Sequence, residues 1–234
     1  MSNKKKFLVR PRKGKSGGQV SVWLREKRRM TEVRMDTLFA RDYDEHWGSI
    51  DHTHRDMLNR FLHMCPLHCT ILDATCGTGK YWSIILASGR SVIGIDQSQH
   101  MLLKARAKHP NVQVEKLGLQ EMHFTSAFDG INCVDAMECV FPEDWPLVLA
   151  HFHRALKIKA YLYFTVEGTS EEDLRSAFIA GKQLGLPLIE GEHAHEGGYH
   201  YYPSLEQVRR WTQEAPFDML AEAEEDEYYH FSGS

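Results

Sequence analysis

The sequence predicts an α/β fold: a doubly wound, mostly parallel sheet with helices on both faces. Three observations predict it. Short apolar runs alternate with helix-period segments through the middle of the chain. The runs are nearly continuous in apolar residues, as expected of strands that helices cover on both sides. Acids stand where several runs stop, at Asp73, Asp96 and Asp135, which is where such sheets keep their ligands.

Each element follows from local pattern. Residues 35–64 read as helical pieces, including "HRDMLNRFLHM". "TILDAT" (70–75) is a short buried strand, and "KYWSIILAS" is a helix ended by Gly89. "SVIGID" (91–96) is the second strand; the helix "SQHMLLKARAKH" stops at Pro110, which cannot continue it. "VQVEKL" (112–117) is the third strand, and "FDGINCVDAM" (128–137) holds the fourth. "WPLVLAHFHRALK" (145–157) is helical with Asp144 as its cap, and "AYLYFTVE" (160–167) is the fifth strand. Ser170 and Asp173 begin another helix in capping-box fashion. "SLEQVRRWTQEA" (204–215) is a further helix, and "FDMLAEAEE" and "EYYHF" supply two final strands, seven in all.

Composition bounds the function. The chain has 234 residues, 42% hydrophobic and 26% charged, with a formal charge of -4, the profile of a soluble globular protein. No apolar run approaches the ~18 residues of a membrane span, and no secretory leader pattern is present. Five cysteines in no tight framework suit reduced thiols and a cytoplasmic protein. The charge is split: residues 1–34 carry 12 Lys/Arg and 2 Glu, net +10, and the rest nets -14. The expectation is a basic, flexible arm over 1–34 followed by one domain over 35–234. Such an arm suits a polyanion, although its charges have little aromatic interleaving, only Phe7 and Trp23.

"ILDATCGTGKYW" carries the chemistry. A strand that turns at Gly77 and Gly79 into a helix brings backbone N–H groups close to a ligand, because glycine has no Cβ in the way. Asp96 ends the next strand, where an acid can accept both hydroxyls of a ribose. A dinucleotide turn would want a third glycine, but Lys80, Tyr81 and Trp82 follow Gly79. An acid at Asp73 would repel a pyrophosphate and suits a cofactor with positive charge.

Together "LDATCGTGKYW" and "VIGIDQSQHML" resemble the cofactor site of the class I S-adenosylmethionine-dependent methyltransferases, in their small-molecule branch. "VEKLGLQEM", "FDGINCVDAMECV" and "LVLAHFHRALKIKAYLYFTVE" match later motifs in order, and "LFARDYDEHW" resembles the lid helices before the core. The resemblance implies a Rossmann-like domain with lid helices over 35–68 and a substrate-side insert over 186–203. It implies S-adenosyl-L-methionine as cofactor. Asp73 would lie near the methionine end, and Ala74, Thr75, Gly77, Thr78 and Gly79 would line methionine and ribose. Asp96 would clamp the ribose; Gln97, Met101, Leu119 and Gln120 would hold adenine; Asp135 and Ala136 would flank the methionine carboxylate and ammonium. Thr75 stands where the family has its first glycine, and "KIKAYLYF" replaces the usual Pro-Gly-Gly turn.

Acceptor contacts are expected from the lid and the insert. Tyr43 and Trp47 in the lid, with His200 and Tyr201 in "GEHAHEGGYHYYPSLEQV", are the candidates. Gly197 and Gly198 would let that segment move as a loop; a packed hairpin is the plain alternative. Glu138, His195 and His200 are candidate bases, although methyl transfer needs alignment more than a base. Cys65 and Cys69 lie near His63 and His68 without a second matching pair, so no metal is expected. The expected reaction is methyl transfer to a small molecule by a monomer or homodimer. An RNA or protein acceptor guided by the arm, and a non-catalytic cofactor-binding scaffold, are the alternatives.

Overall fold

The structure, a computed structural model, describes Val22, Trp23, Glu26, Lys27, Met30, Val33 and residues 40–195, 198–225 and 228–234. The lysine-rich start of the expected arm, residues 35–39 of the expected lid and Gly197 lie outside the described residues.

Helices α1 (Ala40–Trp47) and α2 (His52–Met64) precede the sheet. The alternating core follows: β1 (Thr70–Ala74), α3 (Trp82–Ala87), β2 (Ser91–Asp96), α4 (Gln99–Lys108), β3 (Gln113–Lys116), β4 (Phe128–Cys133), α5 (Trp145–Ala155) and β5 (Leu156–Glu167). Next come α6 (Glu171–Gln183), a hairpin of β6 (Glu192–His195) and β7 (Gly198–Tyr201), α7 (Leu205–Glu214), β8 (Met219–Glu225) and β9 (Tyr228–Gly233). The seven-stranded sheet runs β3-β2-β1-β4-β5-β9-β8, with β1 to β5 parallel and β9 antiparallel to both neighbours. The strand order reverses between β1 and β4, so a ligand crevice is expected at their carboxyl ends. Among the described residues no helix is long and apolar enough to cross a membrane.

Each face of the sheet has its own core. Phe61, Leu62, Trp82 and Leu102 pack one face, and Trp145, Phe152, Trp211 and Phe231 pack the other. Adjacent β5 residues serve opposite cores, Tyr163 one and Phe164 the other, as strand alternation requires. Trp145 stacks on Trp211 at 5.0 Å and ties α5 to α7.

Caps fix the helices as the sequence indicates, with one exception. Ser170 and Ser204 accept from the backbone N–H groups of Asp173 and Gln207. Asp144 has helical backbone and makes no cap bond; its carboxylate instead accepts from Gln120 Nε2 at 3.4 Å. Pro146 in the first turn lacks one N–H that a cap would serve.

Two expectations change. The fifth strand begins at Leu156 rather than 160, directly after α5. The slack is taken up by Lys159 at φ +62 and a register shift against β4, with Lys157 bonded to Asp129 at 2.8 Å. The expected arm also contains structure: the described residues from Val22 to Val33 have helical backbone, and the Trp23 ring meets Tyr199 edge-on at 6.3 Å.

Candidate active site

The carboxyl ends of β1, β2, β3 and β4 open into a cleft of about 1100 Å³, open mouth included. Thr75, Gly77, Asp96, Gln97, Met101, Leu119, Gln120, Asp135 and Ala136 line it, as does Tyr43 from α1. These were expected together, and the topology brings them together.

Asp96 is fixed by backbone. Its Oδ2 accepts from the Gly77 N–H at 2.9 Å and its Oδ1 from the Ser98 N–H at 2.8 Å. Gly77 has φ +52, and a Cβ there would meet nothing within 4 Å. It therefore presents bare backbone to the cleft. Thr75 has φ +74, a conformation that strains a β-branched residue.

Asp135 is the second fixed acid, also at positive φ (+55). Its N–H donates to Thr165 Oγ1 at 2.9 Å, and Tyr81 donates its hydroxyl to Oδ2 at 3.1 Å. Lys80 Nζ lies 3.6 Å from Oδ2, and His54 Nε2 lies 3.4 Å from Oδ1. Burial holds the His54 pKa below the ordinary histidine value, with Asp135 pulling the other way. Behind it His230 stands 5.2 Å from His54, ring to ring, and Nδ1 of His230 is 3.0 Å from the Tyr163 hydroxyl. Lys80 and Tyr81 line the cleft, and neither they nor His54 was singled out from sequence.

Four expected cofactor residues stand elsewhere. Asp73 is buried; Trp82 Nε1 donates to one oxygen at 2.8 Å and Asn132 Nδ2 to the other at 2.7 Å. Burial pushes its carboxyl up to about 6 despite both bonds. Ala74 is a core residue with no exposed surface. Gly79, at φ +76, serves packing, since a Cβ would come within 2.7 Å of the Trp82 ring. Thr78 donates its hydroxyl to Asp44 Oδ1 at 2.6 Å, and Lys108 joins both. Thr78 thus pins α1 over the loop and does not line the cleft.

Of the four residues expected to contact an acceptor, Tyr43 lines the cleft and Trp47, His200 and Tyr201 do not. Trp47 is half exposed and stacks beside Tyr43, 5.9 Å away, outside the cleft. Residues 192–195 and 198–201 pair as the two strands of a packed hairpin. Successive strand residues face opposite sides, so His200 and Tyr201 do not share a site. Tyr201 packs toward Trp211 in the core, where burial pushes its hydroxyl up to about 12. His200 turns the other way, toward the Tyr202 hydroxyl at 3.0 Å and Glu167 at 3.6 Å. Tyr199 is the hairpin residue that lines the cleft, beside Phe141 at 4.4 Å. Glu192 anchors it, accepting from the Tyr199 hydroxyl at 2.8 Å.

Of the candidate bases, His195 is described only as backbone of β6. Glu138 lies buried in the short 3-10 turn Met137–Cys139 after β4, and burial pushes its carboxyl up to about 8. The neighbouring Cys139 is exposed to the cleft, yet the dense protein around it raises its thiol well above the usual range.

Residues 71–159 match a family model described as a methyltransferase domain. Solved structures share the fold. An S-adenosylmethionine-dependent methyltransferase from Methanosarcina mazei is 18% identical with a TM-score of 0.66, over 73% of this chain and 94% of that one. One from Clostridium acetobutylicum is 14% identical with a TM-score of 0.63, over 83% and 96%. One from Leishmania major is 15% identical with a TM-score of 0.63, over 91% and 83%. No curated protein matches the sequence. Sheet order and neighbours give the chain the fold of S-adenosylmethionine-dependent methyltransferases, and its central residues 71–159 carry the methyltransferase-domain match.

Proposed function

We propose that this chain is an S-adenosylmethionine-dependent methyltransferase acting on a small-molecule acceptor in the cytoplasm. The observation that supports the acceptor class is the aromatic part of the cleft lining. Tyr43 of α1, Phe141 and Tyr199 of β7 contribute to it from separate elements, and the cleft as a whole has the scale of a small-molecule site.

The residues present fit the cofactor. Asp96 is placed to take the ribose hydroxyls, with Gln97, Met101, Leu119 and Gln120 around adenine. Lys80 and Asp135, opposite charges 3.6 Å apart in the wall, match the carboxylate and ammonium of an amino-acid head group. Asp135 Oδ1 is buried with His54 Nε2 3.4 Å away, so that oxygen is turned to the wall. Bound there, S-adenosylmethionine supplies a methyl group already activated on a sulfonium. The chain's own task is to orient the acceptor and exclude water. In this reading Tyr43, Phe141 and Tyr199 do both, and no side chain need accept a proton in the transfer itself.

Melting curves test the reading without a known acceptor. A ligand that binds only the folded chain adds about 2.7 kcal/mol at a hundredfold excess over its Kd. S-adenosylhomocysteine should raise the Tm and NADH should not; a shift with NADH alone would overturn the assignment.

A further inference from the structure

Resting on the methyl-transfer reading above, we propose that the acceptor is a neutral nitrogen nucleophile, an amine or ring nitrogen, held in an aromatic chamber and released as a methylated cation.

The argument starts from charge. The cleft lining carries two carboxylates, Asp96 and Asp135, and one cation, Lys80. Lys80 is paired with Asp135, so one negative charge is left over. That surplus matches a single positive charge, which is what a sulfonium brings. Another part of the lining is of different character: Tyr43, Cys139, Val140, Phe141 and Tyr199 have no formal charge at neutral pH, and the Phe141 and Tyr199 rings lie 4.4 Å apart. An aromatic chamber beside surplus negative charge favours a cation, through ring quadrupoles and through Coulomb attraction.

Two lining residues feel these surroundings. Burial first, and then the carboxylates of Asp135, Asp96 and Asp44, with Glu138, raise the Tyr43 hydroxyl. Burial, and then Glu138, Glu167 and Asp96, raise the Cys139 thiol. Both groups resist gaining a negative charge.

The bond changes then separate the acceptor classes. With nitrogen, its lone pair forms the new C–N bond while the S–C bonding pair returns to sulfur. The positive charge passes from sulfur to nitrogen and stays inside the chamber that balances it; any N–H proton leaves afterwards. A phenolate, carboxylate or thiolate acceptor would first have to enter as an anion, and the transfer would cancel the charge the chamber favours. The nitrogen class is the one whose reactant and product both suit these walls.

The test uses the full chain saturated with S-adenosylhomocysteine and three probes of one shape. They are choline, the uncharged alcohol in which carbon replaces its nitrogen, and the anion of tert-butylacetic acid. Calorimetry should show choline binding about tenfold more tightly than the alcohol, with the anion weakest. Phe141→Ala should erase most of choline's advantage, although the comparison on the unaltered chain stands without it. Equal binding of choline and alcohol, tightest binding of the anion, or no choline binding to the loaded protein would each overturn the proposal. Failure of S-adenosylhomocysteine itself to bind would be seen first, and would remove the methyl-transfer reading beneath it.

Discussion

Trp82 donates its indole N–H to Asp73 Oδ2 at 2.8 Å, across the start of the glycine turn. The bond explains why the acid that ends β1 does not face the cleft. The indole lies over Gly94 of β2, where a Cβ would come within 2.4 Å of the ring, and against Gly79. Asn132, the β4 residue in register with Asp73, satisfies the other oxygen. Asp73 therefore ties β1, β4 and α3 together beneath the site.

Asp73→Ala should act mainly on stability. It leaves two buried N–H donors without an acceptor, each costing about 1–3 kcal/mol. The Tm should fall well below that of wild type, while S-adenosylhomocysteine binds the folded variant more tightly than it binds Asp96→Ala. Calorimetry alongside melting curves separates the two effects. A variant that melts normally and loses the ligand would return Asp73 to the binding surface.

Thr75 gives a prediction of opposite sign. At φ +74 its β-branched side chain is strained by about 1–3 kcal/mol. Glycine relieves that strain but loses up to about 1 kcal/mol through its freer unfolded chain. Thr75→Gly should raise the Tm modestly and leave S-adenosylhomocysteine binding at least as tight. A clear fall in Tm would mean that the Thr75 contacts, including the one to Cys133 Sγ at 3.8 Å, outweigh the strain.

Much of this architecture is legible because it repeats local rules. Alternation of apolar runs and helix patterns predicts the sheet, and the acid-glycine spacing predicts that Gly77, Asp96 and Asp135 meet. What is not legible depends on which way a side chain turns after its strand ends. Ala74, Thr78 and Gly79 sit in the same short turn as Gly77, yet they face core, lid and Trp82. The hairpin misleads for a related reason: composition draws attention to His200 and Tyr201, while Tyr199 lines the cleft. Strand alternation separates His200 from both tyrosines, but the choice of Tyr199 over Tyr201, which packs toward Trp211, is made only by the fold. His54 carries no local signal, since its partner Asp135 is distant in sequence and only the fold brings the two within 3.4 Å.

Truncation tests how far the N-terminal segment belongs to the domain. Trp23 meets Tyr199 edge-on, and Tyr199 lines the cleft. Removing residues 1–21 should leave the Tm and S-adenosylhomocysteine affinity near those of the full chain. Removing residues 1–30 takes Trp23 away and should lower the Tm by several degrees, since an aromatic pair adds about 0.5–1.5 kcal/mol beyond the area it buries. Identical melting of the two truncated chains would show that the Trp23 contact contributes nothing.

Glu138 makes stability depend on pH in a stated window. Its carboxyl titrates near 4.5 ordinarily, and burial raises it to about 8 in the folded chain. A group whose folded pKa is raised binds more protons folded than unfolded between those two values. Its contribution is therefore complete below about pH 4.5, falls as the pH rises, and is fully lost once the pH passes about 8. Glu138→Gln keeps the shape and cannot ionise. The variant should gain on wild type steadily from pH 5 to pH 8, by up to about 1.4 kcal/mol per pH unit, and hold a constant lead above that. Other titrating groups are common to both chains and cancel in the difference. Urea melts at matched pH values measure that gap directly, and a gap that stays flat across the window would mean that the Glu138 carboxyl is already ionised at neutral pH.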